Sequence, residues 1–171
     1  MMTNDNIFNN IMFKRLDNRA IIPEKGTKDS ACWDLFALED MKFPPGAILL
    51  VKTGWACQVS SGYRPNIYVR SSTPIKKNFI LANGIGVVDS DYRGELMVQL
   101  MNVKTEVCIS KDFDGVARSV ALLIENEIKA GDKIAQLEMV PDAAVGIDWN
   151  VQEVNVLSET QRGSGGFGST G

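Results

Sequence analysis

Short apolar runs separated by turn residues fill most of the chain, and where a run is long enough to show a period, the period is two. From Glu95 to Met101, Leu96, Val98 and Leu100 alternate with Met97, Gln99 and Met101, giving an extended segment one aliphatic face aimed at a core. Lys133 to Val140 repeats the pattern, with Ala135, Leu137 and Met139 on one face and Gln136 on the other. Ile48 to Val51, Asn66 to Val69 and Ala121 to Ile124 read as further strands. Pro23, Gly26, Pro44-Pro45-Gly46, Gly54, Ser61-Gly62, Asn83-Gly84, Gly94, Gly115 and Gly131 punctuate them at the spacing of an all-β sandwich or barrel. A single short helix is predicted near Thr73, capped by Ser72 or Thr73 with Pro74 in its first turn.

Residues 103–130 form a long, mixed stretch that reads as an excursion between two strands. Composition turns polar and then glycine-rich from about Ser158, so one β domain is expected over 1–157 and a flexible arm over 158–171. Half of the last ten residues are glycine, accompanied by Arg162, Phe167, Ser164, Ser169 and Thr170. Alone, such a segment is either a linker or a strip of donors, a cation and a ring able to fold over a phosphorylated base.

Composition narrows the chemistry. The 171 residues suit one domain, and a formal charge of −3 argues against a general nucleic-acid binder. No run approaches the roughly 20 apolar residues of a membrane span, and Met1 to Asn6 lacks the order of a signal peptide. Cys32, Cys57 and Cys108 form no CxxC pair, which fits a reducing cytoplasm. With no histidine, Ser-His-Asp and Cys-His nucleophiles and the usual zinc sites are excluded. Any hydrolysis here needs a carboxylate base, with a hard cation such as Mg²⁺ as the natural assistant.

Four segments offer such chemistry. Gly84 to Glu95 joins Gly84 and Gly86, where another molecule could approach the backbone, to Asp89 and Asp91, which share a face if extended. The carboxylates are then a general base, or simply the polar residues of a β-turn. Arg70-Ser71-Ser72 before the helix suits phosphate oxygens, or is a cap beside a surface arginine. Asp34, in the apolar run around Trp33 and Leu35, is either aimed at a metal-bound water or paired with a neighbour. Gln136, after the Gly131-Asp132-Lys133 turn, faces a ligand or solvent.

Taken in order, Ser30 to Leu35, Arg70 to Ser72, Gly86 to Gly94, Gly131 to Leu137 and Arg162 to Gly171 resemble the five motifs of the trimeric dUTPases. The likeness runs from about Phe13 to the C-terminus. It implies a β jelly roll, or distorted barrel, and a homotrimer whose three subunits share each active site. It also implies hydrolysis of dUTP to dUMP and pyrophosphate with Mg²⁺ on the triphosphate. By position, Asp89 is the general base toward water. Tyr92 packs under the deoxyribose, the backbone from Asn83 and Gly84 to Val87 and Val88 reads uracil, and Met97 lines the nucleoside pocket. Arg70, Ser71, Ser72 and Gln136 take the phosphate chain, and Asp34 meets Mg²⁺ through water. In the arm, Arg162 meets the γ-phosphate, Phe167 stacks on uracil, and Gly168, Ser169 and Thr170 bind the terminal phosphates.

Two features depart from the family pattern: Cys32 stands where glycine is usual, and the chain between Asn102 and Gly131 is longer than in compact members. Some bacteriophage members carry extra segments there, so the excursion is compatible with a phage origin and the host cytoplasm. The competing expectations are a deoxycytidine triphosphate deaminase of the same fold and a regulatory protein that engages a partner through residues 103–130.

Overall fold

The structure, a computed structural model, describes residues 11–111, 114, 117–142 and 152–153. The predicted arm over 158–171, and the domain end near Leu157, lie outside these residues. Among those described, the elements in chain order are β1 (Ile11–Arg15), β2 (Glu24–Lys25), β3 (Trp33–Phe36), β4 (Met41–Phe43), β5 (Ile48–Lys52), β6 (Trp55–Val59) and β7 (Tyr63–Tyr68). A π-helical turn, Thr73–Lys77, follows, and then β8 (Phe79–Leu81), β9 (Gly86–Val87), β10 (Met97–Asn102), β11 (Thr105–Lys111), β12 (Ala117–Leu123), β13 (Asn126–Ile128) and β14 (Lys133–Pro141).

Strands pair antiparallel throughout. A five-stranded sheet runs β2-β3-β14-β7-β9 and a three-stranded sheet runs β5-β10-β8, joined by the pairs β1-β6 and β13-β4. This is the all-β, jelly-roll-like arrangement expected. The two larger sheets turn their aliphatic faces into one core: Leu35, Ile67, Ala135 and Leu137 from one meet Val51, Phe79, Val98 and Leu100 from the other. Alternation in β10 holds residue by residue, with Val98 and Leu100 buried while Met97, Gln99 and Met101 reach outward. In β14 it breaks at the start. A register shift between Lys133 and Ala135 inserts Ile134 as an extra residue, so Ile134 and Ala135 are both buried. Phe43 and Phe79 meet edge to face at 4.7 Å, adding about 1 kcal/mol beyond their burial.

The stretch 103–130 resolves into the β11–β12 hairpin and β13, which returns to pair with β4. Only Ala121 to Ile124 of it was legible as a strand. The root of the hairpin is pinned by Asn102, fully buried at the end of β10: its amide donates to Ile124 O (2.7 Å) and Pro44 O (3.0 Å), and Oδ1 accepts from Lys104 N–H (2.9 Å). The helix near Thr73 is one wide turn ended by Asn78 in the left-handed region, at φ 54°. Ser72 sits at its N-cap position without a side-chain cap bond, and the buried Thr73 Oγ1 has no partner, so neither residue caps it through its side chain.

Candidate active site

Two groups of side chains carry the predicted chemistry, and β7 runs beside both. The first surrounds a cleft formed where the wide β8–β10 hairpin folds its connection, residues 82–96, back over the sheet. Within that connection β9 pairs with β7, Asn66 opposite Val87 and Ile67 opposite Gly86, and the Val88 N–H donates to Pro65 O at 3.0 Å. Gly86 serves this closure. A Cβ there would lie 3.1 Å from the Ile67 Cβ, so the glycine admits β7 rather than a ligand on that side. Gly84 differs, with φ +70° and open space where a Cβ would sit.

After Val88 the chain turns. Tyr92 N–H donates to Asp89 O at 3.1 Å, so Asp89 and Asp91 belong to a tight turn and the shared face expected of an extended strand does not form. Arg93 fixes the turn by donating to Ser90 O (2.8 Å) and Tyr92 O (2.9 Å). The Tyr92 ring lies where a Cβ of Gly94 would be, and its hydroxyl donates to Glu95 O at 3.2 Å. The resulting cleft, of about 220 Å³, is lined by Val87, Val88, Asp89, Tyr92 and Met97, with Leu50, Ile67, Glu95 and Leu96 as its floor and wall. Asp89 and Tyr92 are exposed, the latter at 43%.

The second group begins where β7 ends at Tyr68 and reaches across β14 to β3. Asp34 is 8% exposed, and both its oxygens are engaged: Oδ1 by Arg70 Nε at 2.8 Å and Oδ2 by Lys133 Nζ at 2.8 Å. Lys133 also reaches Glu24 at 3.5 Å, and the hydrogen bond to Asp34 holds its ammonium above the ordinary lysine range. Gln136 sits opposite Asp34 on β3 and Tyr68 on β7, and its amide donates to Val69 O at 3.2 Å. Ser71 is exposed and Ser72 half-buried in the loop closed by the Thr73 N–H to Arg70 O bond, 2.9 Å.

Asp89, Tyr92, Met97, Val87 and Val88 thus share the cleft, and Asp34, Arg70 and Gln136 share the second group. The cleft lining of a single chain contains none of Arg70, Ser71, Ser72 or Gln136. Asn83 and Gly84 lie exposed in the connection, Gly84 N–H bonded to Leu81 O at 3.1 Å. Arg162, Phe167, Gly168, Ser169 and Thr170 fall outside the described residues. Sequence reading gave no role to Lys133, Glu24 or Glu95; the only signal for Lys133 was its place beside Asp132 in a motif. No cluster of three acidic, cysteine or histidine side chains among the described residues could itself hold a metal ion. A buried carboxylate beside phosphate-type donors fits a different case, a Mg²⁺ ion that arrives with phosphates and keeps its water shell.

The dUTPase family model matches residues 18–126. A deoxyuridine 5′-triphosphate nucleotidohydrolase of Nautilia profundicola is 36% identical over 161 residues, covering 94% of this chain and 98% of the relative. Its counterpart in Gloeothece citriformis is 38% identical over 157 residues, covering 92% and 93%. Among solved structures, the dUTPase of Staphylococcus bacteriophage 80alpha with dUpNHpp matches at a TM-score of 0.74 and 25% identity, covering 95% of this chain and 99% of that one. It is described among phage dUTPases that control transfer of virulence genes. A variant dUTPase of phage phi11, described with a coordinated structural Mg(II) ion, shares the fold at a TM-score of 0.67 and 24% identity, covering 88% of this chain and 100% of that one.

Proposed function

The chain belongs to the dUTPase family, and from that premise we propose how its residues hydrolyse dUTP to dUMP and pyrophosphate. The observation that carries the reading is the cleft: the Asp89 carboxylate, the Tyr92 phenol and the edge of β9 line one space bounded by Ile67 and Met97, while the Glu95 carboxylate bonds Gly54. Uracil enters against the backbone of Asn83 to Val88, where Gly84 leaves the main chain uncovered. Tyr92 lies under the deoxyribose and fills the place of a 2′-hydroxyl. Asp89 accepts a proton from water as the water oxygen attacks the α-phosphorus. The bond from that phosphorus to the oxygen bridging toward the β-phosphate breaks, and pyrophosphate leaves with its electron pair.

Phosphate binding falls to Arg70, Ser71, Ser72 and Gln136, and in the arm to Arg162, Gly168, Ser169 and Thr170, with Phe167 stacked on the base. Bound Mg²⁺ supplies charge neutralisation on the phosphate oxygens, held through water by Asp34. Arg70 and Lys133, each 2.8 Å from one of its oxygens, hold the Asp34 carboxylate in place. Transfer at so anionic a centre depends more on fixed donors and cations than on base strength. A homotrimer completes the site, supported by a cleft lining that lacks Arg70 and Gln136 and by the exposed Leu50 and Val87 on it. No helix among the described residues is long and apolar enough to cross a membrane, and the cytoplasm, where dUTP is present, is the proposed compartment.

A nucleotide panel tests this. With Mg²⁺, pyrophosphate release is expected from dUTP but not from dCTP, dTTP or UTP; ammonia from dCTP would instead identify a deaminase. Asp89→Asn is expected to lower kcat by about 100-fold or more while a non-hydrolysable dUTP analogue still binds. Retained turnover would remove Asp89 as the base. A second reading rests on the β11–β12 hairpin, whose Val107 (64% exposed) and Ile109 (76% exposed) stand clear of the core. It makes the hairpin a protein-contact element separate from catalysis.

A further inference from the structure

Glu95 lies in the cleft wall, yet its carboxylate is turned away to the loop between β5 and β6. Its Oε1 accepts the Gly54 N–H at 2.8 Å, across 41 residues of sequence. Two more bonds join the same loop to the next residue: Thr53 Oγ1 donates to Leu96 O at 2.7 Å, and Leu96 N–H donates to Trp55 O at 2.7 Å. Gly54 itself is closely packed. Its φ is +74°, and a Cβ there would meet the Ala20 Cβ at 2.6 Å, so Ala20 and Leu38 pack directly on its backbone. Residues 95–96 are therefore held to a rigid part of the core.

The Tyr92 hydroxyl donates to the carbonyl of this same Glu95, and its ring fills the space beside Gly94. The height of the ring in the cleft is set by where residue 95 lies. We propose that Glu95 is a positioning residue for sugar selection: by clamping its own backbone to Gly54 it holds the Tyr92 ring close enough to exclude a 2′-hydroxyl. This rests on the reading of Tyr92 as the surface under the deoxyribose. Glu95 touches neither water nor phosphate in that role. Its effect falls on the comparison between deoxyribo- and ribonucleotide, not on the hydrolytic step.

The test is the ratio of kcat/KM for dUTP to that for UTP in the full-length protein, with thermal unfolding as a check on folding. Glu95→Ala and Glu95→Met both remove the acceptor, the second while filling the volume. Each is expected to lower the ratio by about tenfold, the scale of one hydrogen bond to a charged group. Glu95→Gln keeps an oxygen that can accept from Gly54 and is expected to retain the ratio. Tyr92→Ala is the control for the premise. If Tyr92→Ala collapses the ratio while both acceptor-less variants leave it intact, the clamp is structural only and the proposal is overturned. If Tyr92→Ala also leaves the ratio intact, the assignment of the ring to the sugar fails, and the positioning role fails with it.

Discussion

Cys32 is half-buried two residues before Asp34, in the position where the family usually has glycine. Burial raises its thiol above the ordinary range, and the neighbouring charges of Glu138 and then Asp34 push the same way. Cys57 is 6% exposed, and burial raises it too, while Cys108 stands exposed on β11. Because the thiolate is the nucleophile, a raised pKa and burial both slow alkylation. Iodoacetamide at neutral pH is expected to modify Cys108 first, Cys32 more slowly and Cys57 last, as followed by mass spectrometry of peptides. Because its pKa is raised, Cys32 should need a pH above the ordinary thiol range before its labelling accelerates. Rapid labelling of Cys32 at neutral pH would mean that the first motif is more open, and Asp34 less tightly held, than its contacts with Arg70 and Lys133 imply.

The β11–β12 hairpin is a two-stranded sheet of its own, paired with no further strand among the described residues. Its seven-residue register runs from Thr105 opposite Leu123 to Lys111 opposite Ala117, and every described residue of β12 is exposed. Two-stranded hairpins alone are marginal in water, so this one depends on its root at Asn102, Lys104 and Ile124. Cutting the chain beyond Lys104 and before Ile124, with a short turn between, leaves that root and the β13–β4 pair in place. Turnover of dUTP and the unfolding midpoint are expected to stay near wild type; loss of turnover would place the hairpin in the catalytic assembly. The hairpin also shows what the sequence left unread there: Val107 and Ile109 alternate with Glu106 and Cys108, but both faces meet solvent, so no core marks the strand. Strand β10 was legible because burial of one face imposes alternation, and β3 because Trp33 and Leu35 flank a buried acid. The two-residue pairing of β9 with β7 left no local pattern. Nor did the Gly54–Glu95 and Glu24–Lys133–Asp34 contacts, since each joins residues far apart in the chain. The motifs named candidate residues, but not that Asp89 and Asp91 lie in a turn or that Gly86 is needed by Ile67.

At the scale of the whole molecule the arithmetic of a shared site can be tested without seeing the assembly. On the proposed function, the cleft with Asp89 and Tyr92 supplies one part of the active site, Arg70 and Gln136 a second, and the arm from Arg162 onward a third. Two inactive variants then complement one another. Asp89→Asn lacks the base but keeps its arm; truncation before Arg162 keeps the base but lacks the arm. Each alone should form trimers with little turnover. After mixing in mild denaturant and refolding together, a site draws an intact Asp89 from one kind of chain and an arm from the other in about a quarter of random assortments. Recovery of about a quarter of wild-type turnover is therefore expected, rising and falling as the mixing ratio moves through equality. A site built wholly within one subunit predicts no recovery at any ratio, because no chain in the mixture carries both parts. If recovery fails while size measurements show mixed trimers, then base and arm act in the same chain.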